Sequence, residues 1–533
     1  MILLLAQLAL AEDPAPSVET QVPPATEAPP APQPPAGPAP APAPAEAAEA
    51  PLLPGPSVNP APKPKALTVT HEGEVRAVGS LPPGDLVVDP EGATLGQGAV
   101  LDSRIRFGMK FAFKGVEAHI GGDFLDGQLA GDAWDIRGTE DARHRESLDP
   151  FGPGSSTLRH FSLGGRLGPV ALEGGVVTSH WGLGMLANDG SHDPEFGRSD
   201  FGDRVIRLRV ATKLSQTMPL FLAVAGDRVI EDESADWDPL GEGGEEAWQA
   251  LASVVYGTPD AARGGVYGVY RNQMEIDRER HSQVGVLDLY GDVPFQLSRA
   301  KLRIAGEAAS IFGRTSRAQS YNSRDGLDVQ SAGLTGLVEA QHVPLALRVA
   351  IRGGWASGDT DPDDGYAEDF AFDRDFDVGM VMFDEVQGAV DAATYAQLTD
   401  PEHSGSAPNG AEALVAEGAF RHAAFVQPVV AITPIPWLNL KVGLTMAWST
   451  NPPQQAFATY RAGGNPTNHL GVATSGYDLG TEVDWAVKVG DIGLGPKEFY
   501  RPALLIQGGH AFMADNLGGG TVTMLSAAAR LRW

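Results

Sequence analysis

The chain has 533 residues, no cysteine and a formal net charge of −29, and its length allows several soluble domains or one large barrel. The absence of cysteine excludes a disulfide framework, a thiolate nucleophile and a thiolate metal site. The acidic balance disfavours nucleic acid as a partner. After the start, no apolar run reaches the roughly 18 residues that a membrane-spanning helix needs. A β-barrel is still allowed, because its strands hide their apolar residues by alternation.

Residues 1–65 form two segments ahead of an alternating region. Residues 1–11 have a short apolar core and end in Ala9-Leu10-Ala11, which predicts a signal peptide cleaved after Ala11. The basic n-region is missing, so we expect the true start codon to lie upstream; an unremarkable apolar amino terminus is the alternative. Residues 12–65 are mostly Pro, Ala and Glu. Such a segment has too few large apolar side chains to offset the entropy of ordering. They predict a disordered periplasmic linker, either a spacer or cell-wall contact or an inert tether.

Residues 66–533 alternate between segments of 10 to 15 residues, short turns and long polar loops. The short connections are 114–115, 168–169, 215–219, 257–264, 292–299, 342–344, 433–436 and 490–501. The long connections include 127–155, 181–202, 230–247, 314–329, 357–417 and 451–476. Short turns and long loops in strict rotation predict an outer-membrane β-barrel over residues 66–533.

The alternating segments predict seventeen strands, at 100–114, 116–126, 156–167, 169–180, 203–214, 219–229, 248–256, 264–273, 282–291, 300–313, 330–341, 345–356, 418–432, 437–450, 477–489, 500–513 and 520–533. Bacterial single-chain barrels have even strand numbers. We therefore expect one more strand within 66–80, around Leu67 to Thr70. The predicted fold class is all-β, a transmembrane antiparallel β-barrel of about 18 strands, with 16 as the alternative.

The last strand carries a candidate assembly signal. Trp533, Leu531 and Ala529 share one face with period two, while Arg532 and Arg530 share the other. A final strand that ends in an aromatic residue resembles the assembly signal of bacterial outer-membrane barrels. The resemblance implies recognition by the barrel-assembly machinery, and outer-membrane lipid and lipopolysaccharide as surroundings.

Several predicted strands carry cations on one face and apolar residues on the other. The apolar face must meet lipid, because a charge at the bilayer midplane costs about 2–4 kcal/mol. The cations are therefore expected to line the lumen as selectivity residues; they are Arg104, Arg106, Lys110, Arg207, Arg209, Lys301, Arg303, Arg348 and Arg352. Such a bore would attract anions. The alternative is a neutral network in which these cations pair with inward acids such as Glu173 and Glu307.

The loop 357–417 is long enough to fold inward and constrict the bore, and it holds a candidate calcium site. Its acids Asp359, Asp361, Asp363 and Asp364 place oxygens at near-alternate positions, as calcium loops do. Pro362 intrudes and Phe370 stands where a bidentate glutamate would be, so a solvated acidic loop is the competing interpretation. Apart from this calcium, no cofactor is expected.

Eight aromatic residues near strand ends are interpreted as interfacial girdles, with a sugar-stacking track in the pore as the alternative. They are Trp181, Tyr267, Tyr270, Tyr290, Trp355, Trp437, Trp448 and Trp485. No Gly-x-Ser-x-Gly or His-Glu-x-x-His motif occurs, and His180 and His192 merely flank a loop with Asp189 and Asp193. We therefore expect a protein that is not an enzyme.

Three stretches resemble the alginate-export family of outer-membrane porins and related porin-like proteins; they are Gly353–Asp359, Leu479–Trp485 and Gly508–Phe512. The resemblance implies an 18-stranded barrel with an Arg/Lys-lined pore for a polyuronate. The expected function is passive diffusion of small anionic solutes or acidic saccharides. The alternative is a non-conducting structural or adhesion barrel acting through its long acidic extracellular loops. The sequence does not predict an oligomeric state.

Overall fold

The computed structural model describes residues 66–95, 98–131, 156–200, 202–232, 235–237, 244–258, 261–275, 279–403, 405, 407–416, 418–494 and 499–533. Within these residues, eighteen long strands alternate with turns and loops. They are β1 (Thr68–Leu81), β2 (Val100–Phe113), β3 (Val116–Gly131), β4 (Ser156–Leu167), β5 (Val170–Thr178), β6 (Arg204–Lys213), β7 (Leu220–Asp232), β8 (Glu246–Tyr256), β9 (Arg263–Met274), β10 (His281–Gln296), β11 (Ala300–Thr315), β12 (Leu327–His342), β13 (Leu347–Ala356), β14 (Ala423–Ile435), β15 (Leu438–Ser449), β16 (Asp478–Gly490), β17 (Arg501–Met513) and β18 (Thr521–Arg532). The predictions for residues 1–65 lie outside the described part of the chain.

The strands form a closed antiparallel barrel. Each long strand pairs with its neighbour in the chain, and β1 pairs with both β2 and β18. The register at the closing seam places Glu74 opposite Arg532 and Leu81 opposite Leu525. Closure leaves no unpaired sheet edge. The prediction of 18 strands is confirmed, and the expected additional strand is β1.

Short turns and long loops alternate around most of the barrel, as predicted; the exceptions are the connections 275–280 and 514–520, which are no longer than the turns that precede them. Two-residue turns join β2 to β3 and β4 to β5, whereas residues 357–422 join β13 to β14. Several strands are longer than predicted; for example, β3 extends to Gly131 and β10 extends to Gln296. The strand predicted at 418–432 begins only at Ala423, because Phe420 is buried in the preceding loop's apolar cluster.

Side chains alternate between the two faces of the barrel wall. Leu163 and Leu208 point outward and are 61% and 67% exposed, whereas the neighbouring Arg207 is 3% exposed inside the barrel. On β18 the outward set includes Leu525 and the inward set includes Met524. The period-two interpretation of the sequence is therefore correct for these strands.

In the described part of the chain, helical structure lies in the loops. Residues 357–422 contain a π-helix (Met382–Gln387), the helix α1 (Gly388–Thr399) and the 3₁₀ turns Pro401–His403 and Ala411–Leu414; residues 450–477 contain α2 (Ala456–Arg461). Further 3₁₀ turns lie at Val343–Leu345 and Asp515–Leu517, and two-residue strands at Ala235–Asp236 and Tyr366–Ala367. No helix of the described residues is long and apolar enough to cross a membrane.

The loop 357–422 folds into the lumen, as predicted. The carbonyl oxygen of Val378 accepts hydrogen bonds from Gln427 of β14 and Thr445 of β15, at 2.5 and 3.3 Å. The carboxylate of Glu482 on β16 accepts the backbone N–H groups of Met380, Val381 and Met382 at 2.6–2.8 Å. These contacts hold the loop against the inner faces of three successive strands. Its aromatic residues form one buried cluster, which contains Phe370, Phe372, Phe376, Phe383 and Phe420.

The carboxyl terminus joins β18 to β1 through both backbone and side-chain contacts. Trp533 and Gly73 exchange backbone hydrogen bonds in both directions, at 3.0 Å each. The Trp533 indole covers Gly73, where a Cβ would lie 2.3 Å from the indole Cζ2. Leu531 pairs with Val75 on the other side of the seam. The candidate assembly residues Leu531 and Trp533 therefore lie at the closing strand pair, and their recognition by assembly machinery stays a prediction.

We expect Gly73→Ala to lower the stability of the folded barrel, because the new methyl group displaces the Trp533 indole. Overpacking of this kind costs typically about 1–3 kcal/mol. The measurement is the temperature at which the folded, fast-migrating band disappears on a gel. Gly79→Ala is the matched control in the same strand, since a Cβ there meets nothing within 4 Å. Equal midpoints for the two variants would contradict the proposed seam contact.

Candidate solute-binding site in the lumen

Arginines of three adjacent strands form one patch on the inner wall. Strand register places Arg76 of β1 directly opposite Arg104 of β2 and Arg530 of β18. Two residues along, Glu74 lies opposite Arg106 and Arg532. Together with the nearby Arg159 of β4, these side chains are called the arginine wall; they are Arg76, Arg104, Arg106, Arg159, Arg530 and Arg532. Antiparallel pairing of strands with inward arginines at every second position produces such a patch.

Two carboxylates, one on β1 and one on β3, hold five of these six arginines. Glu74 lies 3.2 Å from Arg104, 3.4 Å from Arg530 and 2.8 Å from Arg532. Asp123 of β3 receives a bidentate pair of hydrogen bonds from Arg106, at 2.7 and 2.8 Å, and lies 3.7 Å from Arg159. Because two or three guanidinium groups share one carboxylate, some of their N–H donors are not used by it and are directed into the lumen.

A second loop, residues 179–203, covers the arginine wall with its own acids. Asp193 accepts four hydrogen bonds, two from Arg530 at 2.6 and 2.8 Å and two from Arg532 at 2.9 and 3.0 Å. Asp200 pairs with Arg76 at 2.5 Å. Burial alone would raise the pKa of Asp193, but Arg530 and Arg532 hold that pKa well below its usual range. Asp193 therefore remains a carboxylate at neutral pH.

The same loop reaches other sides of the barrel. Glu195 binds Arg348 of β13 and lies 3.1 Å from the Nζ of Lys441 on β15. The side chain of Gln507 on β17 donates to the Gly197 carbonyl oxygen at 2.9 Å. Since its acids contact β1, β13, β15 and β18, the loop crosses the bore. From the sequence, constriction was expected of residues 357–417 alone, so the role of this loop was missed. The sequence feature that could have revealed this loop is a group of four acidic residues between positions 189 and 200, namely Asp189, Asp193, Glu195 and Asp200.

Three of the predicted girdle aromatics lie inside the barrel, which corrects their assignment. Trp181 is 1% exposed; its ring stacks on Tyr267 with centroids 4.9 Å apart, and its Nε1 donates to Asp288 at 2.9 Å. Tyr290 is also buried, at 5% exposed. Tyr267 and Tyr270 are three residues apart on one strand, so only Tyr270 faces outward. Nearness to a strand end does not determine the face. Trp355, Trp437 and Trp448 are exposed, and Trp485 packs over Gly508.

Most of the nine predicted selectivity cations are paired with carboxylates. The pairs are Arg104 with Glu74, Arg106 with Asp123, Lys110 with Glu72, Arg207 with Asp227, Arg209 with Glu173, Arg303 with Asp292, and Arg348 with Glu195 and Glu339. Arg352 donates to the side chain of Gln427 and to the Asp377 carbonyl oxygen, at 2.9 and 3.0 Å. Lys301 lies at the short-turn end of β11, opposite Gln296 and Gln341.

These pairings agree better with the alternative of a neutral network of ion pairs, which the sequence left open, than with a row of unpaired cations along the pore. Arg209 and Glu173 form the expected pair at 2.5 Å. The other expected acid, Glu307, instead accepts the backbone N–H of Leu183 from the loop 179–203. Selectivity by the nine residues stays a prediction, and the arginine wall adds Arg76, Arg159, Arg530 and Arg532 to the candidates.

The four acids of the candidate calcium site do not converge on one point. Asp359 accepts the backbone N–H of Asp361 at 3.0 Å, and Asp361 accepts that of Asp363 at 3.2 Å. Asp363 instead binds the backbone N–H of Tyr321 at 2.7 Å. Burial and the neighbouring Asp369 raise the pKa of Asp359 to about 7. Within the described residues, the acids 359, 361, 363 and 364 form no group with mutually close ligand atoms. Calcium binding by these four acids stays a prediction.

No protein-family model matches the sequence, and no curated protein matches it. Among solved structures, OprD from Pseudomonas aeruginosa is similar with a TM-score of 0.47 and 10% identity, covering 87% of this chain and 94% of that chain. A BenF-like porin from Pseudomonas fluorescens Pf-5 gives 0.48 and 12%, covering 88% and 98%. Pseudomonas aeruginosa OpdK with vanillate gives 0.46 and 12%, covering 87% and 99%. The resemblance to the alginate-export family stays a prediction.

Proposed function

We propose that this protein is an outer-membrane channel of a Gram-negative bacterium, not an enzyme, and that it passes small anionic solutes or acidic saccharides by passive diffusion. The closed barrel has an apolar outer face and a charged lumen, as spanning a bilayer around an aqueous path requires. We place the short turns in the periplasm and the long loops outside the cell.

The binding of Asp193 by Arg530 and Arg532 carries the proposal. Two guanidinium groups hold one carboxylate through four hydrogen bonds, yet the Asp193 side chain is 46% exposed. Paired guanidinium–carboxylate contacts are among the strongest that side chains make with an anion. Asp193 is a carboxylate ligand supplied by the protein's own loop, and a solute carboxylate offers the same chemistry. A permeating acid would exchange with Asp193 at the arginine wall.

We expect substitutions on the two sides of this contact to move ion selectivity in opposite directions. Asp193→Asn removes the competing negative charge and should raise the preference for anions, whereas Arg530→Ala combined with Arg532→Ala should lower it. The measurement is the reversal potential of the refolded protein in a planar bilayer under a salt gradient.

Arg314→Ala is the matched control, because Arg314 pairs with Asp328 at an exposed site and both side chains are more than half exposed. Its reversal potential should equal that of the unmodified protein. A shift of the same sign in the two test variants, or no shift in either, would contradict a role of the arginine wall in anion passage.

The second candidate is a non-conducting structural or adhesion barrel. It is favoured by the filling of the lumen, where the buried aromatic cluster of residues 357–422 packs against strand residues such as Val429, Ala486 and Ala511. Stable bilayer insertion without conductance in every variant would support it.

A further inference from the structure

Two histidines and an aspartate come together within the internal loop 179–203. The Nδ1 of His192 lies 3.6 Å from the Oδ1 of Asp189, and the Nδ1 of His180 lies 3.9 Å from the same oxygen. The ligand atoms of the three residues all lie within 4.8 Å of one another. The two imidazole centroids are 5.1 Å apart. The side chains of His180 and Asp189 are each 13% exposed and that of His192 is 32% exposed, so solvent reaches one side of the group.

The Nδ1 of His180 is buried and has no hydrogen-bond partner within the described protein. Buried polar atoms are nearly always satisfied, and leaving one without a partner costs about 1–3 kcal/mol. A partner that the protein itself does not supply would remove this cost. An imidazole nitrogen that lies close to a carboxylate and a second imidazole is in the environment of a metal ligand.

The distances are close to those of a coordinated ion. Zinc binds imidazole nitrogen and carboxylate oxygen at about 2.0–2.2 Å, so neighbouring ligands of a tetrahedral site lie about 3.3–3.5 Å apart. The two observed nitrogen–oxygen separations are 3.6 and 3.9 Å. The nitrogen–oxygen separations need to shorten by only a few tenths of an ångström, and the two imidazole nitrogens, which lie within 4.8 Å of each other, approach by rotation of the His192 side chain.

We propose that His180, Asp189 and His192 bind one divalent transition-metal ion of the zinc class, with the fourth position left to solvent. Two imidazoles with one carboxylate favour zinc and its neighbours in the first transition row over calcium or magnesium, which prefer all-oxygen ligands. The ligands come from both ends and the middle of residues 180–192. A bound ion would therefore cross-link the part of the loop that directly precedes Asp193.

Surrounding hydrogen bonds already hold the loop in this conformation. Asp189 Oδ1 accepts the backbone N–H of Ser191 at 3.0 Å, and the His192 carbonyl oxygen accepts the Ser199 hydroxyl at 2.7 Å. Asn188 accepts the N–H of Gly190 and donates to the Asp375 carbonyl oxygen, both at 3.2 Å. The guanidinium of Arg159 donates to the Asp189 carbonyl oxygen. Such outer contacts orient metal ligands and reduce the rearrangement that binding requires.

The test is calorimetric titration of the full-length refolded protein in detergent, treated with chelator and then titrated with zinc chloride. We expect one equivalent of zinc to bind, and expect His180→Ala, His192→Ala and Asp189→Asn each to weaken binding at least about tenfold. Substitution of cobalt(II) should give the visible absorption of a tetrahedral site, and the same variants should lose it. A heat-modifiable gel shift confirms that each variant is folded.

His281→Ala is the matched control, because His281 is an exposed histidine at the start of β10 and should not affect zinc affinity. The stacked pair His119 and His160, with centroids 3.9 Å apart, is the competing location. Absence of stoichiometric binding, unchanged affinity in His180→Ala and His192→Ala, or loss of binding only in His119→Ala combined with His160→Ala would each overturn the proposal. Zinc affinity is measured without current, so this result is independent of whether the barrel conducts.

Discussion

Replacing Glu482 by alanine is expected to release the internal loop 357–422 from the barrel wall and to raise single-channel conductance. Glu482 is fully buried on β16, and its carboxylate accepts the N–H groups of Met380, Val381 and Met382. The alanine variant leaves three buried donors without an acceptor, and each such loss costs about 1–3 kcal/mol. The summed cost is comparable to the stability of a packed loop, so we expect the loop to leave its position.

Two measurements on one variant separate release of the loop from general damage to the barrel. Single-channel recording should show larger conductance steps, and limited proteolysis should cut within residues 357–422 faster than in the unmodified protein. Glu482→Gln should have a smaller effect, because the amide keeps one accepting oxygen. Val483→Ala, on the outward side of the same strand, is the control and should change neither measurement. Unaltered conductance and proteolysis in Glu482→Ala would show that the loop does not constrict the bore.

Asp227→Ala should cause the largest loss of stability among single substitutions on the inner wall. Arg207 and Asp227 form a bidentate pair at 2.8 and 2.7 Å, and their side chains are 2% and 0% exposed. Removing one partner of a buried ion pair costs about 3–5 kcal/mol, because the remaining charge is left without compensation. The measurement is urea unfolding of the barrel in lipid vesicles, followed by tryptophan fluorescence.

The control for Asp227→Ala is an exposed pair of the same kind. Glu72 lies 3.5 Å from Lys110 with both side chains more than half exposed, so Glu72→Ala should cost at most about 1 kcal/mol. Adding Arg207→Met to Asp227→Ala should recover much of the lost stability, because the unpaired charge is gone. Equal losses in Asp227→Ala and Glu72→Ala, or no recovery in the double variant, would contradict the buried-pair explanation.

The two faces of each strand could be predicted from the sequence, because the alternation of side chains along a strand is a local property. Alternation over 520–533 predicted that Arg530 and Arg532 share one face of β18, and the structure places that face inside the barrel. The even number of strands followed from the requirement that a barrel close. Nearness to a strand end was a poorer guide, as Trp181, Tyr267 and Tyr290 show, because the face of a residue depends on its register.

The sequence by itself determined the number of strands, the alternation of short turns with long loops, and the apolar face that points outward. Each of these follows from a local pattern: the alternation of side chains at every second residue, or turn residues within a few positions. Only the tertiary structure decided which charges meet. Arg76 adjoins Arg104 through the pairing of β1 with β2 and Arg530 through the closure of β1 onto β18. Asp193 reaches Arg530 across 337 positions. Contacts between a loop and a distant wall depend on barrel diameter and loop path, which no local pattern encodes.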